Sequence, residues 1–229
     1  MDTKIRVYIL QKDRHISCTI IYLGDSFKVT SNEDRNLLDS LSKETDLFLI
    51  FSKELAKKVS PKKFSTLYDA MGYAVSETDN ESIAILNAFE YLDEVLKKHL
   101  YYLIVNDILV PFPIENLPKI FGLQIQTAVF SSYRTDYEEL KEIYSKEKEY
   151  TWWEKLLNKE EDFEKDGLFC YNSSNDDYFL IPVNVFRKVL EEYGNNSYYM
   201  DSFENYGFST FIASSIQPEN LTNTSLDEI

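Results

Sequence analysis

The chain contains two histidines and two cysteines, which are the side chains most often used in nucleophilic and metal chemistry. His15 and Cys18 are the one close pair, and they lie in a segment whose composition is typical of a strand. Side chains three apart on a strand project to opposite faces, so this pair is not expected to act as base and nucleophile. His99 and Cys170 are distant in sequence, and no zinc-ligand spacing occurs. We therefore predict no metal site, and we interpret both cysteines as buried apolar residues rather than a disulfide.

Carboxylates are numerous, with 39 Asp and Glu residues against 24 Lys and Arg residues. The acidic clusters within 162–166 and 176–177 lack the glycine-containing loop that binds calcium. A metal-dependent nuclease strand would carry an acid and a lysine where residues 181–183 are Ile-Pro-Val. Glycine-rich phosphate loops and a Gly-x-Ser-x-Gly elbow are also absent from the sequence. The chain is predicted to be no enzyme and to need no cofactor, although carboxylates assembled only by the fold would escape this test.

The negative charge is concentrated in the second half of the chain. Residues 131–229 contain 21 acidic and 9 basic residues, a net charge of −12, whereas residues 1–130 contain 18 and 15, a net charge of −3. A surface of this sign repels nucleic-acid phosphates and anionic lipid, and it attracts cationic surfaces. Acidity also keeps a protein in solution without any specific partner, and this alternative stays open. The favoured partner is a basic protein.

The predicted binding surface combines carboxylates with tyrosines. Tyrosine supplies rigid contact area at a low cost in entropy, and neighbouring carboxylates can pair with lysine or arginine of a partner. The predicted partner-binding residues are Glu160, Glu161, Asp162, Glu191, Glu192, Tyr198, Tyr199, Asp201, Glu204 and Tyr206. The alternative is that these tyrosines belong to the core, since the chain contains 17 of them.

A second charged segment is basic and lies in the first half of the chain. Its lysines are Lys53, Lys57, Lys58, Lys62 and Lys63. Such a segment could contact nucleic acid, but no aromatic residue is interleaved with the lysines to stack on bases. A solvated helix face is the favoured interpretation.

These features favour a non-enzymatic inhibitor, of the immunity or phage anti-defence type, that occludes a basic nuclease or toxin. Direct contact with nucleic acid or membrane is not expected. The alternatives are an enzyme whose carboxylate active site is assembled by the fold, and a structural or assembly subunit. The amino terminus lacks the apolar segment of a signal peptide, and charges interrupt the most apolar helix, so a cytoplasmic location is expected.

The elements expected in the first half begin with a β-meander. Alternating apolar residues predict strands at 4–11 and 15–23, followed by a short third strand at 26–30. Three- and four-residue spacing of apolar residues from Asn80 to Leu103 predicts a long central helix.

Between these elements, helix caps are expected at Ser31, at Ser52 and at Ser60-Pro61, and a buried strand is expected at 46–51.

The second half is expected to contain a strand at 123–130, helices within 137–157, a hairpin at 168–171 and 178–183, and a helix at 185–193. Strands followed by helices favour an α+β fold rather than alternating βαβ units. The change in charge near Ser131 predicts two α+β lobes, residues 1–130 and the acidic residues 131–216, and a disordered polar tail at 217–229.

Overall fold

The computed structural model describes residues 5–24, 27–28, 31–79, 81–92, 98–105, 129–130, 134–135, 169–170, 178–184 and 186–187. The strands are β1 (Ile5–Ile9), β2 (Ser17–Leu23), β3 (Asp46–Phe51), β4 (Gly72–Ser76), β5 (Tyr101–Val105), β6 (Val129–Phe130), β7 (Arg134–Thr135), β8 (Phe169–Cys170) and β9 (Tyr178–Pro182). The helices are α1 (Asn32–Glu44), α2 (Lys53–Lys58), α3 (Pro61–Leu67) and α4 (Glu81–Leu92). Helices and a mixed sheet are thus both present, which confirms the predicted α+β composition at this coarse level.

Seven strands form one sheet in the order β1-β4-β3-β2-β5-β9-β6. The four inner strands β4, β3, β2 and β5 are parallel to one another. Strands β1, β9 and β6 are antiparallel to their neighbours, and β7 pairs with β8 in a separate two-stranded sheet. Because β2, β3, β4 and β5 alternate with helices along the chain, the inner strands form consecutive βαβ units, so the expectation of strands followed by helices without such units was wrong.

Local signals for helix starts are confirmed. The Ser31 side chain accepts a hydrogen bond from the amide of Asp34 at the start of α1, and the Ser52 side chain accepts one from Leu55 at the start of α2. Pro61 occupies the first position of α3, where the missing amide donor has no helical partner to lose. The predicted strand at 46–51 is β3, and all of its residues are buried.

The predicted β-meander is wrong. Strands β4 and β3 lie between β1 and β2 in the sheet, so β1 pairs with β4, and β2 pairs with β3 and β5. Phe27 and Lys28, which fall within the predicted third strand, are not in a strand. The alternation of apolar residues identified β1 and β2 as strands. It does not depend on which strand lies beside them, so it could not predict the strand order.

The predicted long central helix is also wrong. Helix α4 ends at Leu92, and residues 101–105 form β5 instead of its last turn. β5 is paired on both sides, with β2 and β9, and four of its five residues are buried. A strand buried on both faces is a continuous apolar run, and such a run cannot be told from a buried helix by periodicity alone.

The hairpin predicted in the second half is also wrong. β8 pairs with β7, whereas β9 pairs with β5 and β6, so the two predicted hairpin strands lie in different sheets. Proximity in sequence favoured a hairpin, and long-range pairing replaced it. Residues 183–184 and 186–187 are helical, at the start of the predicted helix. The lobe boundary near Ser131 stays a prediction, and the segments 137–157, 188–193 and 217–229 lie outside the described residues.

Helices cover both faces of the inner sheet. Leu47, Leu49 and Phe51 of β3 pack in one apolar cluster with buried residues of α1, α2 and α3. The alternate residues along each strand face the other side of the sheet. There Tyr102 of β5 packs against Phe89 of α4, with ring centroids 5.1 Å apart. The order of layers is therefore helix, sheet, helix, which fits parallel strands buried on both faces.

Gly72 is required by a close approach between strands. A Cβ at this position would lie 2.7 Å from the Tyr8 carbonyl oxygen and 2.9 Å from Phe48 Cε2. These neighbours belong to β1 and β3, the two strands that flank β4. A side chain at position 72 would therefore push apart both ladders that β4 joins.

None of the helices in the described part of the chain has the length and apolar character needed to cross a lipid bilayer.

Candidate functional site

Asp46 is the centre of a buried polar cluster at the amino-terminal ends of the parallel strands. Its Oδ2 accepts hydrogen bonds from the backbone amides of Arg14 (2.8 Å) and His15 (3.1 Å), and it lies 2.9 Å from Nε2 of His99. The side chains of Asp46 and His99 are 1% and 0% exposed. One carboxylate oxygen therefore joins three segments that are distant in sequence: the connection before β2, the start of β3 and the residues before β5.

Opposing effects set the pKa of Asp46. Burial raises this pKa, whereas hydrogen bonds from the His99 ring and from the His15 and Arg14 amides, together with the charge of His99, lower it, and the result lies below the ordinary 3.8. The carboxylate is therefore ionised at neutral pH, and His99 Nε2 donates to it.

Cys18 lies beside Asp46 because the two residues are partners in the β2–β3 register. Burial, with a further contribution from the charge of Asp46, raises the pKa of the Cys18 thiol well above its ordinary value. A thiol in this state is a poor nucleophile, since the thiolate is the reactive form. The cluster combines an acid, a histidine and a cysteine, and it joins three segments of the chain in the interior of the fold.

The two histidines occupy positions that differ from the sequence predictions. His99 is not in a helix but in the short segment between α4 and β5, and it is 2% exposed as a residue. His15 precedes β2, which begins at Ser17, so it is not on the same strand as Cys18. The expectation that His15 and Cys18 share one strand is therefore wrong.

Within the part of the chain that the structure describes, no group of three or more His, Cys, Asp or Glu side chains is arranged to bind a metal ion.

The carboxyl ends of the parallel strands, at the opposite end from Asp46, carry charged side chains. Lys53 Nζ lies 2.8 Å from Glu77 Oε2, and the Tyr22 hydroxyl donates a hydrogen bond to the Asp79 carbonyl at 3.4 Å. The hydrogen bond and charge of Glu77, followed by the charges of Glu54 and Asp79, raise the pKa of Lys53. The lysine thus stays protonated among three carboxylates.

The order of the strands reverses between β2 and β5. From β2 the chain proceeds through α1 to β3 on one side, whereas α4 leads it back across to β5 on the other side. In open α/β sheets, small ligands bind in the crevice outside the carboxyl ends at such a reversal. The strand order therefore points to the carboxyl ends of β2 and β5 as the position to test for a small ligand.

All ten predicted partner-binding residues lie outside the described residues. They are Glu160, Glu161, Asp162, Glu191, Glu192, Tyr198, Tyr199, Asp201, Glu204 and Tyr206. Their assignment to a binding surface stays a prediction.

The Asp46–His99 contact was missed at the level of sequence. Asp46 was interpreted only as the first residue of a buried strand, and His99 as one position in a long helix. An acidic residue directly before a continuous apolar run was the available signal, because a carboxylate in that position needs hydrogen-bond donors if it is buried. The identity of the donors depended on the fold.

No protein-family model matches this chain, and no curated protein sequence matches it. Inference about its function therefore depends on its own residues.

Proposed function

We propose that this protein is a non-enzymatic inhibitor that binds a basic partner, of the nuclease or toxin class, through carboxylates that follow residue 130. The observation that carries the proposal is the net charge of −12 on residues 131–229. Carboxylates in this excess attract a cationic surface and speed its association, and tyrosines among them supply contact area.

Ion pairing within the first half supports the proposal. Four basic side chains of the described residues pair with carboxylates of the same half: Arg14–Asp69, Lys53–Glu77, Lys57–Glu54 and Lys98–Asp13. These cations are therefore already engaged, and they do not need carboxylates from beyond residue 130. Neutralisation of the second half by these four cations is therefore not expected, which supports an external basic partner.

Enclosure of the Asp46 cluster is a second support. Asp46, His99 and Cys18 are the nearest approach to a catalytic constellation among the described residues, and each is at most 2% exposed. A substrate cannot reach groups that are closed off in this way. Function by binding is therefore favoured over catalysis at this cluster.

The test is affinity capture from native lysate with three proteins: the wild type, Asp201→Lys/Glu204→Lys, and the control Asp39→Lys/Glu44→Lys. Both double variants change the charge equally, and the control residues are exposed on α1. We expect the wild type and the control to capture the same basic protein at low salt, and the Asp201/Glu204 variant to lose it, with association slowed by about tenfold or more. Capture of the same protein by all three would contradict the proposed surface.

A second candidate is a small-molecule site at the carboxyl ends of β2 and β5, which in an enzyme would hold carboxylates assembled by the fold. The reversal of strand order there is the observation that favours it. A ligand present at about 100 times its Kd would raise the free energy of unfolding by about 2.7 kcal/mol. Thermal unfolding against a panel of nucleotides and dinucleotides tests this candidate, and a panel without any shift in Tm rejects it for these ligands.

A further inference from the structure

Helices α2 and α3 present a basic face on the outside of the fold. They connect β3 to β4, and they are held to the sheet by Leu55 and Phe64, which are 2% and 8% exposed and belong to the main apolar cluster. Ala56 and Val59 also pack against this cluster, and the exposed residues between the anchors are four lysines and Ser60. A chain with a net charge of −15 thus carries a localised positive surface.

Three lysines of this face have no ion-pair partner among the residues that the structure describes. Lys53 pairs with Glu77 and Lys57 with Glu54. Lys58, Lys62 and Lys63 are exposed, and none of them forms an ion pair or hydrogen bond through its side chain within the described residues. Their charge is available to an external group.

An exposed apolar side chain lies on the same helix as two of these lysines. Leu67 is 72% exposed, the highest value among the exposed large apolar residues of the described chain. It follows Lys63 by four residues within α3, and residues with this spacing lie on the same side of a helix. We call Lys58, Lys62, Lys63 and Leu67 the lysine–leucine surface.

We propose that the lysine–leucine surface docks an acidic segment of a partner protein, whose carboxylates pair with the three lysines and whose apolar side chain covers Leu67. This inference is independent of the proposed inhibitor function, because it concerns the opposite charge and the other half of the chain. Charge complementarity requires an occupant with negative charge. The exposed leucine requires that the occupant also carry an apolar side chain.

The composition of the surface favours protein over nucleic acid. Three lysines would neutralise only about three phosphates, which corresponds to a salt dependence of about −2.7 in log K against log salt. The net charge of −15 opposes approach of a long polyanion, and the surface has no arginine or exposed aromatic residue to grip phosphates or stack on bases. Leu67 would also remain uncovered in such a complex.

The test uses a short fluorescent peptide built of glutamate and leucine, with fluorescence anisotropy as the readout at about 0.15 M salt, where the Debye length is about 8 Å. The proteins are the wild type, Lys58→Glu/Lys62→Glu/Lys63→Glu, and the matched control Lys12→Glu/Lys28→Glu/Lys43→Glu. The control residues are also exposed lysines, and the two triple variants have the same net charge. We expect the surface variant to weaken binding about tenfold or more and the control about twofold or less.

The variant Leu67→Ser, which keeps every charge, is expected to weaken binding of the peptide about fivefold. A glutamate-only peptide should show no such dependence on position 67. If circular dichroism shows that the triple glutamate variant is unfolded, Lys58→Gln/Lys62→Gln/Lys63→Gln replaces it with the same expected direction.

Equal losses in both triple variants, or no loss in either, would overturn the proposal, because the position of the lysines would then be irrelevant. A single-stranded oligonucleotide of the same charge that competes as well as the peptide, with no effect of Leu67→Ser, would overturn the choice of a protein partner in favour of nucleic acid.

Discussion

Replacing Asp46 with alanine is expected to lower the free energy of unfolding by about 3 kcal/mol. The substitution removes the acceptor of the Arg14 and His15 amides and the partner of the buried His99 ring at once. A buried donor that loses its acceptor is costly, because water cannot replace the lost hydrogen bond. Urea unfolding, followed by circular dichroism, measures the change.

Asp39→Ala is the matched control for this prediction. Asp39 is an exposed carboxylate of α1, and its replacement is expected to change the free energy of unfolding by about 0.5 kcal/mol or less. Equal effects of the two substitutions would show that the Asp46 cluster does not tie the strands together.

The effect of Asp46→Ala is expected to depend on pH. The pKa of Asp46 is lowered in the folded protein, so its contribution to stability is complete above the ordinary value of 3.8 and is lost as the pH falls through the lower folded value. The difference between wild type and variant should therefore be constant near neutral pH and shrink in acid below 3.8. A difference that grows on acidification would contradict the lowered pKa.

Replacing Phe186 with alanine is expected to lower the free energy of unfolding by about 3 to 5 kcal/mol. Phe186 is fully buried, and its ring centroid lies 4.4 Å from that of Phe89 and 5.7 Å from that of Tyr102. Alanine would leave a cavity between α4 and β5 and remove these aromatic contacts. Thermal or urea unfolding of the full chain measures the loss.

Two further variants sharpen the Phe186 prediction. Leu67→Ala removes an exposed side chain and should change the free energy of unfolding by about 0.5 kcal/mol or less. A double-mutant cycle of Phe89→Ala and Phe186→Ala should give a coupling energy of about 0.5 to 1.5 kcal/mol, as expected for rings in contact. A small effect of Phe186→Ala would instead indicate that the chain after residue 130 is not integrated into the core of the first half.

The starts of α1, α2 and α3 were predicted correctly because capping by Ser31 and Ser52 and the position of Pro61 are decided by neighbours within four residues. β3 was found because a buried strand is a compact apolar run. The site residues after Glu160 and the lobe boundary stay predictions.

Predictions that depended on distant partners were the ones that were wrong. β1 and β2 are consecutive strands in the sequence, yet two other strands lie between them in the sheet. The apolar pattern of β5 is also typical of a helix, and only its pairing with β2 and β9 identifies it as a strand. Asp46 and His99 are 53 residues apart, and neither has a local reason to be buried with the other. The charge asymmetry of the chain, by contrast, was evident from the residue order alone.

Residue types and neighbours a few positions away were sufficient to predict β1, β2, β3, the starts of α1, α2 and α3, and the uneven distribution of charge. Strand order, the layers of helices, the Asp46 cluster and the pairing of lysines in α2 and α3 with described carboxylates became evident only in the tertiary structure. The physical reason is that hydrogen bonds between strands and burial of side chains are long-range properties. The same apolar pattern satisfies many pairings, and packing of the whole chain selects one of them.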